Sequence, residues 1–460
     1  MFLLKTKKRY GRIRVNQSQR CYKAKNEQGE KKMEKKIKVV VVGCGDRAWV
    51  YVREGVHSLH AMEVVAAVDP DPVRLKLMRD QFGVPENMCF TDMKDVLALG
   101  KIGDCVINGT MDQLHLQTAL PFLKQGYDML LEKPLTNNKK DLLLLKKTAD
   151  ENGCKLMTCH VLRYAPFYLK VKELLMSGVI GEIQNIETSE RVGATHSSYS
   201  YIRGKWKSEK ECGSSLLLAK CCHDTDLLCW LNNSTVPEEV SSYGGRDHFN
   251  PENAPKGAGT RCLVDCPKEI REKCIYDVQS MYLDNCIMPW YPWQCTGKNY
   301  EDVSQEEREE SLKTYNPHGV CIYKAGGDIV DHQVLTVKFA NGSTASHTVI
   351  LGVMKPGRRI WIVGSEGEIE GNPDESLRLR KYNPKDSYYT EETINFLERE
   401  GETGGHFGGD KRLVYDFCNL MRGEPRSISC TAIDDSINSH LMVYAADESM
   451  RTGKPVKIEG

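Results

Sequence analysis

The stretch IKVVVVGCGDRA, Ile37 to Ala48, decides the fold. An unbroken apolar run enters a glycine turn. A strand without polar alternation is buried on both faces, as in parallel sheets covered by helices on each side. The next such run, MEVVAAVDP, ends at Asp69, and Trp49 to His60 between them has the length of a helix. Gly43, Gly45 and Ala48 spell G-x-G-x-x-A. Gly43 permits the tight turn. Gly45 lets a pyrophosphate approach the backbone at a helix N-terminus, where free N–H groups and the positive end of the helix dipole collect. Asp46 and Arg47 lie in the same turn and join the expected cofactor contacts. Asp69 closes the second strand and is placed to accept from adenosine ribose hydroxyls and to repel a 2′-phosphate, which favours NAD. Arg74 lies nearby and keeps NADP open.

The pattern continues. GDCVINGT (Gly103 to Thr110), GYDMLLEKP and KLMTCHVLRY read as further buried strands, with helices over Asp112 to Gln125 and up to Gly153. Alternating strands and helices make a doubly wound parallel sheet, and ligands of such sheets sit at the carboxyl ends of strands. Thr110, Glu132 and His160 lie at such ends. The first domain is therefore read as residues 37–160. Residues 161–460 form a second, α+β domain with a cysteine-rich insertion at about 250–325.

The chain has 460 residues, 40% hydrophobic and 27% charged, with zero formal net charge. Nothing marks it as a nucleic-acid binder, and no apolar run reaches the length of a membrane helix. Residues 1–36 are basic and without periodicity, so they read as a disordered extension, or as sequence upstream of a start at Met33. Eighteen cysteines without a secretory signal read as reduced thiols of a cytoplasmic protein. Cys262, Cys266, Cys274 and Cys321 could hold zinc as four thiolates, although their spacing is not that of paired CxxC motifs.

In the second domain, CGSSLLLAKCCHDTDLLCWLN reads as a helix capped by Ser214 or Ser215. His223 and Asp226 are one turn apart, so the carboxylate is expected to orient or charge-tune the imidazole. Asn341-Gly342 marks one hairpin and Gly364 to Gly367 another. With the alternating run near Ile183 and the one near Val240, they predict an open, mostly antiparallel sheet with helices on one face. GETGGHFGGDKRLVYDF carries His406 in a glycine-rich loop suited to closing over a ligand.

Taken together, V-V-G-C-G, A-V-D-P-D-P, Thr110 to His115 (T-x-x-x-x-H), L-L-E-K-P-L around Lys133, L-R-Y-x-P at Leu162 to Pro166 and C-H-D-T-D at Cys222 to Asp226 resemble the Gfo/Idh/MocA oxidoreductases, from Ile37 to about Glu459. The resemblance implies an NAD(P)-dependent dehydrogenase of sugars or cyclitols. Its lysine, Lys133, would contact substrate and nicotinamide, followed by a proline often reported cis. Thr110, His115 and Glu132 would join the cofactor site. Copies would associate through the second sheet as homo-oligomers. Many relatives carry an aspartate four residues before the histidine. Here that position is Ala219, followed by Lys220, which could compensate.

The expected mechanism has His223 taking the hydroxyl proton while hydride leaves carbon, and Lys133 stabilising the reacting oxygen. Arg163, Tyr164, Arg203, Trp206 and His406 are candidates for binding the remaining hydroxyls. Two rival expectations are a redox-neutral NAD-dependent glycosidase, some of which carry a similar glycine–histidine loop, and a non-enzymatic nucleotide sensor.

Overall fold

The apolar run at Ile37 becomes the central strand of a six-stranded parallel sheet. Its members are β1 (Ile37–Val42), β2 (Met62–Val68), β3 (Cys89–Phe90), β4 (Cys105–Asn108), β5 (Asp128–Leu131) and β6 (Leu156–Thr158), in the order β3-β2-β1-β4-β5-β6. Helices Asp46–Arg53, Pro72–Phe82, Met93–Ala98, His115–Lys124 and Lys139–Glu151 connect them. Two apolar clusters, one on each face of the sheet, bury its side chains. This computed structural model describes residues 35–385, 388–396 and 405–459. Of the basic extension, residues 1–34 lie outside the described residues, as do Gly401 to Gly404.

The second sheet has nine strands: β7 (Ile183–Gly193), β8 (Pro237–Gly245), β9 (His332–Phe339), β10 (Thr344–Val353), β11 (Gly357–Gly364), β12 (Gly367–Gly371), β13 (Ser376–Asn383), β14 (Tyr388–Asn395) and β15 (Val456–Lys457). Their order is β14-β13-β12-β11-β7-β10-β9-β8-β15. Every pairing is antiparallel except β7 with β10. Asn341-Gly342 turns between β9 and β10, as the dipeptide predicts. Helices Leu216–Leu231 and Ile433–Thr452 pack together on one face, and the opposite face keeps Val334, Ile350 and Trp361 partly exposed. The Ser215 hydroxyl accepts from Leu218 N–H at 3.1 Å and caps the first of these helices.

Two features depart from the sequence reading. KLMTCHVLRY is not one strand: β6 stops at Thr158, and Val161–Tyr164 forms a 3₁₀ turn. That turn swings Arg163 into the second domain's helix. Helix Gly409–Met421, though late in the chain, packs Leu413, Val414, Phe417 and Leu420 into the first sheet's core. Its apolar spacing marks a helix but cannot say which sheet it covers. Close behind it, Thr431 carbonyl accepts from Thr158 N–H at 2.8 Å.

The insertion is built of short helical turns, with Tyr276, Tyr282 and Trp293 buried in the second domain's core. All described cysteines are free. The four insertion thiols do not form the zinc set considered above. They surround a space that they share with Arg203, whose Nη2 lies 3.9 Å from Cys262 Sγ. Among the described residues, a group of three side chains that could hold a metal ion lies elsewhere.

Candidate active site

The glycine turn is built as its spacing requires. Gly43 has φ +77°, and a Cβ there would lie 2.6 Å from Thr110 N. Only glycine fits. At Gly45 a Cβ would meet nothing closer than Arg74 Nη1 at 4.0 Å. Gly45 is the N-cap of helix Asp46–Arg53 and offers no side-chain cap, so the first N–H groups stay free. Open space beside uncapped N–H groups fits the pyrophosphate of a dinucleotide. Ala48 packs under the turn beside Gly109, and Asp46 is exposed in the first helical turn. Asp69 ends β2 with its carboxylate accepting from Cys44 N–H at 2.8 Å and Asp71 N–H at 2.9 Å. Arg74 stands 3.6 Å from it.

β5 ends in Glu132, Lys133 and Pro134, with a cis peptide bond between Lys133 and Pro134. Glu132 is buried. Its Oε1 accepts from Tyr51 OH at 2.6 Å and Arg47 Nε at 3.2 Å, and its Oε2 from Lys133 N–H at 2.9 Å. Burial works against the Glu132 charge, but Arg47, Lys133 and the Tyr51 hydroxyl hold its carboxyl below the usual glutamate range. Arg47 also reaches Asp410 Oδ1 at 2.6 Å, and Asp410 Oδ2 lies 3.3 Å from His406 Nδ1. A chain of charges thus joins the glycine turn, the Glu-Lys-Pro turn and the glycine–histidine loop. Arg47 is here an anchor of this chain rather than a group free to meet a cofactor.

Lys133 Nζ donates to Ala219 carbonyl at 2.7 Å. Ala219 lies one turn before His223 on helix Leu216–Leu231, so the ammonium is docked beside the imidazole's face of that helix. Burial opposes the Lys133 charge, but Cys222, Glu132 and Asp112 outweigh it and raise its pKa. Lys133 is thus a permanent donor. His223 is only 7% exposed, makes no hydrogen bond, and has a buried Nδ1 without a partner. Burial first, then the positive charge of Lys133, pushes its pKa well below the ordinary histidine value. The ring is neutral at pH 7 and able to take a proton. Its centroid is 5.6 Å from that of His160 and 6.2 Å from that of His406.

Several expected roles change. Asp226 does not orient His223. It accepts from Arg163 Nε at 2.6 Å and Nη2 at 2.5 Å. Arg163 is therefore an internal ion pair of the domain junction and does not meet substrate hydroxyls. Tyr164 donates to Asp416 at 2.8 Å and is buried. Arg203 is buried and serves Ser198, Val320 and Tyr276. His115 is buried between the carbonyls of Pro134, 2.6 Å away, and Thr110, 3.1 Å away. It braces two strand-end turns and has no open side toward a cofactor. These motif residues are polar at the right sequence positions, but burial turns them inward.

Trp206 and Lys220 make contacts between elements. Trp206 Nε1 donates to Asp112 at 3.1 Å and ties the loop after β7 to the first domain. Lys220 pairs with Glu190 at 3.2 Å, and Arg358 pairs with both Glu190 and Asp224 at 2.8 Å. The sequence reading missed Tyr51, Glu190, Arg358 and Asp410 as partners. Only the alternation of β7, which turns Glu190 inward, could have pointed to one of them.

The set of buried histidines gives a stability signature. Burial lowers the pKa of His160, His223, His347 and His440, and takes His318 down to about 4. Such a group binds its proton near pH 6.5 in the unfolded chain and only at lower pH when folded. Stability is full above that value and falls as pH drops, by up to ~1.4 kcal/mol per pH unit for each group. The melting temperature is expected to decline between pH 6.5 and 5. A flat profile across that window would show that these rings are not held neutral.

A glycine turn with uncapped helical N–H groups thus lies at the strand ends of the parallel sheet, and Lys133 of that sheet docks on the second domain's helix that bears His223. The profile described as "Oxidoreductase family, NAD-binding Rossmann fold" matches residues 37–160, and "Oxidoreductase family, C-terminal alpha/beta domain" matches residues 172–458. The chain belongs to this Gfo/Idh/MocA oxidoreductase family. It is 27% identical over 369 residues to the protein named oxidoreductase YteT of Bacillus subtilis, covering 77% of this chain and 81% of that one. It is 24% identical over 205 residues to an inositol 2-dehydrogenase of Corynebacterium glutamicum, covering 44% of this chain and 56% of that one. An oxidoreductase from Agrobacterium radiobacter, solved with NAD+, L-tartaric acid and magnesium, shares the fold with a TM-score of 0.64 at 18% identity. That match covers 92% of this chain and 99% of the other. Among the described residues no helix is long and apolar enough to cross a membrane.

Proposed function

We propose that the protein moves hydride between a secondary hydroxyl of a sugar, glycoside or cyclitol and the nicotinamide of NAD. The observation that carries this is the docking of Lys133 Nζ on Ala219 O, which brings a permanent cation to the helix that bears the neutral His223. The likeness to an inositol 2-dehydrogenase supports a polyol substrate. Bound NAD supplies a nicotinamide that accepts hydride. The protein's residues do the rest. His223 takes the hydroxyl proton, and Lys133 hydrogen-bonds the reacting oxygen and stabilises its developing charge. Glu132 and Arg47 hold the lysine turn. Gly43, Gly45 and the helix N-terminus hold the pyrophosphate. Formation of NADH with a panel of sugars, glycosides and inositols tests this.

A second reading, an enzyme that returns the hydride within each turnover, is favoured by one observation. His406, paired with Asp410, lies beside His223 and gives the site a second acid–base group. Such an enzyme converts substrate without net NADH, so the same assay separates the two. We place the protein in the cytoplasm, and association of copies through the open face of the second sheet is in keeping with its exposed Val334, Ile350 and Trp361.

NAD is expected to bind at least ~10-fold better than NADP, because a carboxylate at the end of β2 would accept from the adenosine ribose and repel a 2′-phosphate. Asp69→Ala should narrow the difference, with Arg74 then free to meet the phosphate. Fluorescence titration of both nucleotides measures it, and equal affinities in the unaltered protein would overturn the NAD assignment.

A further inference from the structure

Helix Leu216–Leu231 has a second working face. Cys221 and Asp224 are three residues apart and share a side. The helix packs on β7 and β10, and His347 points inward from β10. Donor atoms of Cys221, Asp224 and His347 all lie within 4.8 Å of one another, and the residues are 0, 2 and 0% exposed. No hydrogen bond joins the three.

One side of the imidazole is held. The Thr188 hydroxyl lies 2.9 Å from His347 Nδ1 and 3.2 Å from Ser346 carbonyl oxygen. Nε2, on the far side of the ring, is buried and has no partner. Buried polar atoms without partners are rare in folded proteins. A histidine held at one ring nitrogen, with the other unpartnered beside a thiol and a carboxylate, matches the way a neighbouring group orients a metal-ligating imidazole.

The geometry points to a buried metal site formed by Cys221, Asp224 and His347, taking a borderline divalent cation, zinc first. Sulfur, imidazole nitrogen and carboxylate oxygen are a zinc-type donor set. Binding releases the Cys221 proton to solvent. Arg358 already grips Asp224 at 2.8 and 3.2 Å, but each carboxylate oxygen keeps a second lone pair, and the guanidinium then orients the ligand from outside. The surrounding charges, Arg358 and Lys220 against Glu190 and Asp224, cancel. The ion staples the His223 helix to β10. The site is separate from the cysteine-rich insertion.

The test is metal content of the full chain produced with zinc in the medium and purified without metal resins. About one zinc per chain is expected, and the cobalt-substituted protein should show thiolate-to-cobalt charge-transfer absorption. Cys221→Ser and His347→Gln should each abolish both signals, and Cys262→Ser should keep them. Less than about a tenth of an ion per chain, or no charge-transfer band, overturns the site. So does metal that survives His347→Gln and disappears with Cys262→Ser. If the ligand variants fail to fold, metal content and the cobalt band of the unaltered chain and of Cys262→Ser decide it. None of these readouts depends on enzymatic activity.

Discussion

Lys133→Met is expected to cut turnover on the order of a hundredfold or more. The variant keeps the length and apolar stem of the side chain and removes the charge and its donors. A charge-assisted hydrogen bond that strengthens as the substrate oxygen gains charge contributes on the order of 3 kcal/mol to the transition state. Nucleotide affinity should change little, because Gly43, Gly45 and the helix N-terminus lie on other strand ends. Loss of the bond to Ala219 carbonyl should cost about 1 kcal/mol of stability. Turnover, NAD affinity and melting temperature on one preparation separate these effects. Turnover within a few-fold of the parent, or simple unfolding, would make Lys133 a structural strut between the domains.

His223→Asn should lower turnover by roughly 10²–10⁴-fold, the usual worth of a positioned base. Asn is smaller than the imidazole it replaces and forces no overlap with its neighbours, so folding should survive, and the melting temperature checks this. The unaltered enzyme adds a pH test. Burial and Lys133 hold His223 neutral well below the ordinary histidine range, so turnover in the oxidation direction should stay level as pH falls through 6.5. An activity loss centred at or above pH 6.5 that vanishes in His223→Asn would contradict that electrostatic account. Full activity of His223→Asn would remove the residue from the mechanism.

Much of this architecture is legible along the chain because it depends on local patterns. The parallel sheet follows from unbroken apolar strands such as Ile37–Val42, the glycine turn from its spacing, and the hairpin from Asn341-Gly342. Lys133 and His223 lie in motifs that mark them. What could not be read depends on long-range pairing. Asp226 shares a helix face with His223, yet it closes on Arg163, 63 positions earlier, because a buried guanidinium needs a carboxylate. Asp410 reaches Arg47 across 363 positions. Helix Gly409–Met421 returns to the first sheet although most of the second sheet precedes it. No periodicity within a window of ten or twenty residues carries such information.

The electrostatic design of the site is simple in outline. Lys133 keeps its proton and His223 gives its proton up, although both are enclosed. Nearby acidic groups explain the first against the cost of burial, and burial followed by the cation of Lys133 explains the second. Two groups driven to opposite protonation states are what transfer of a hydroxyl proton with stabilisation of the oxygen requires.

The most direct measurement is spectrophotometric NADH formation from NAD across a panel of sugars, glycosides and inositols, run in parallel with the unaltered protein and Lys133→Met. The account predicts stoichiometric NADH from at least one secondary alcohol by the unaltered protein, with loss of that signal in the variant while NAD still binds. Substrate conversion without net NADH, or equal NADH formation by both proteins, would contradict it.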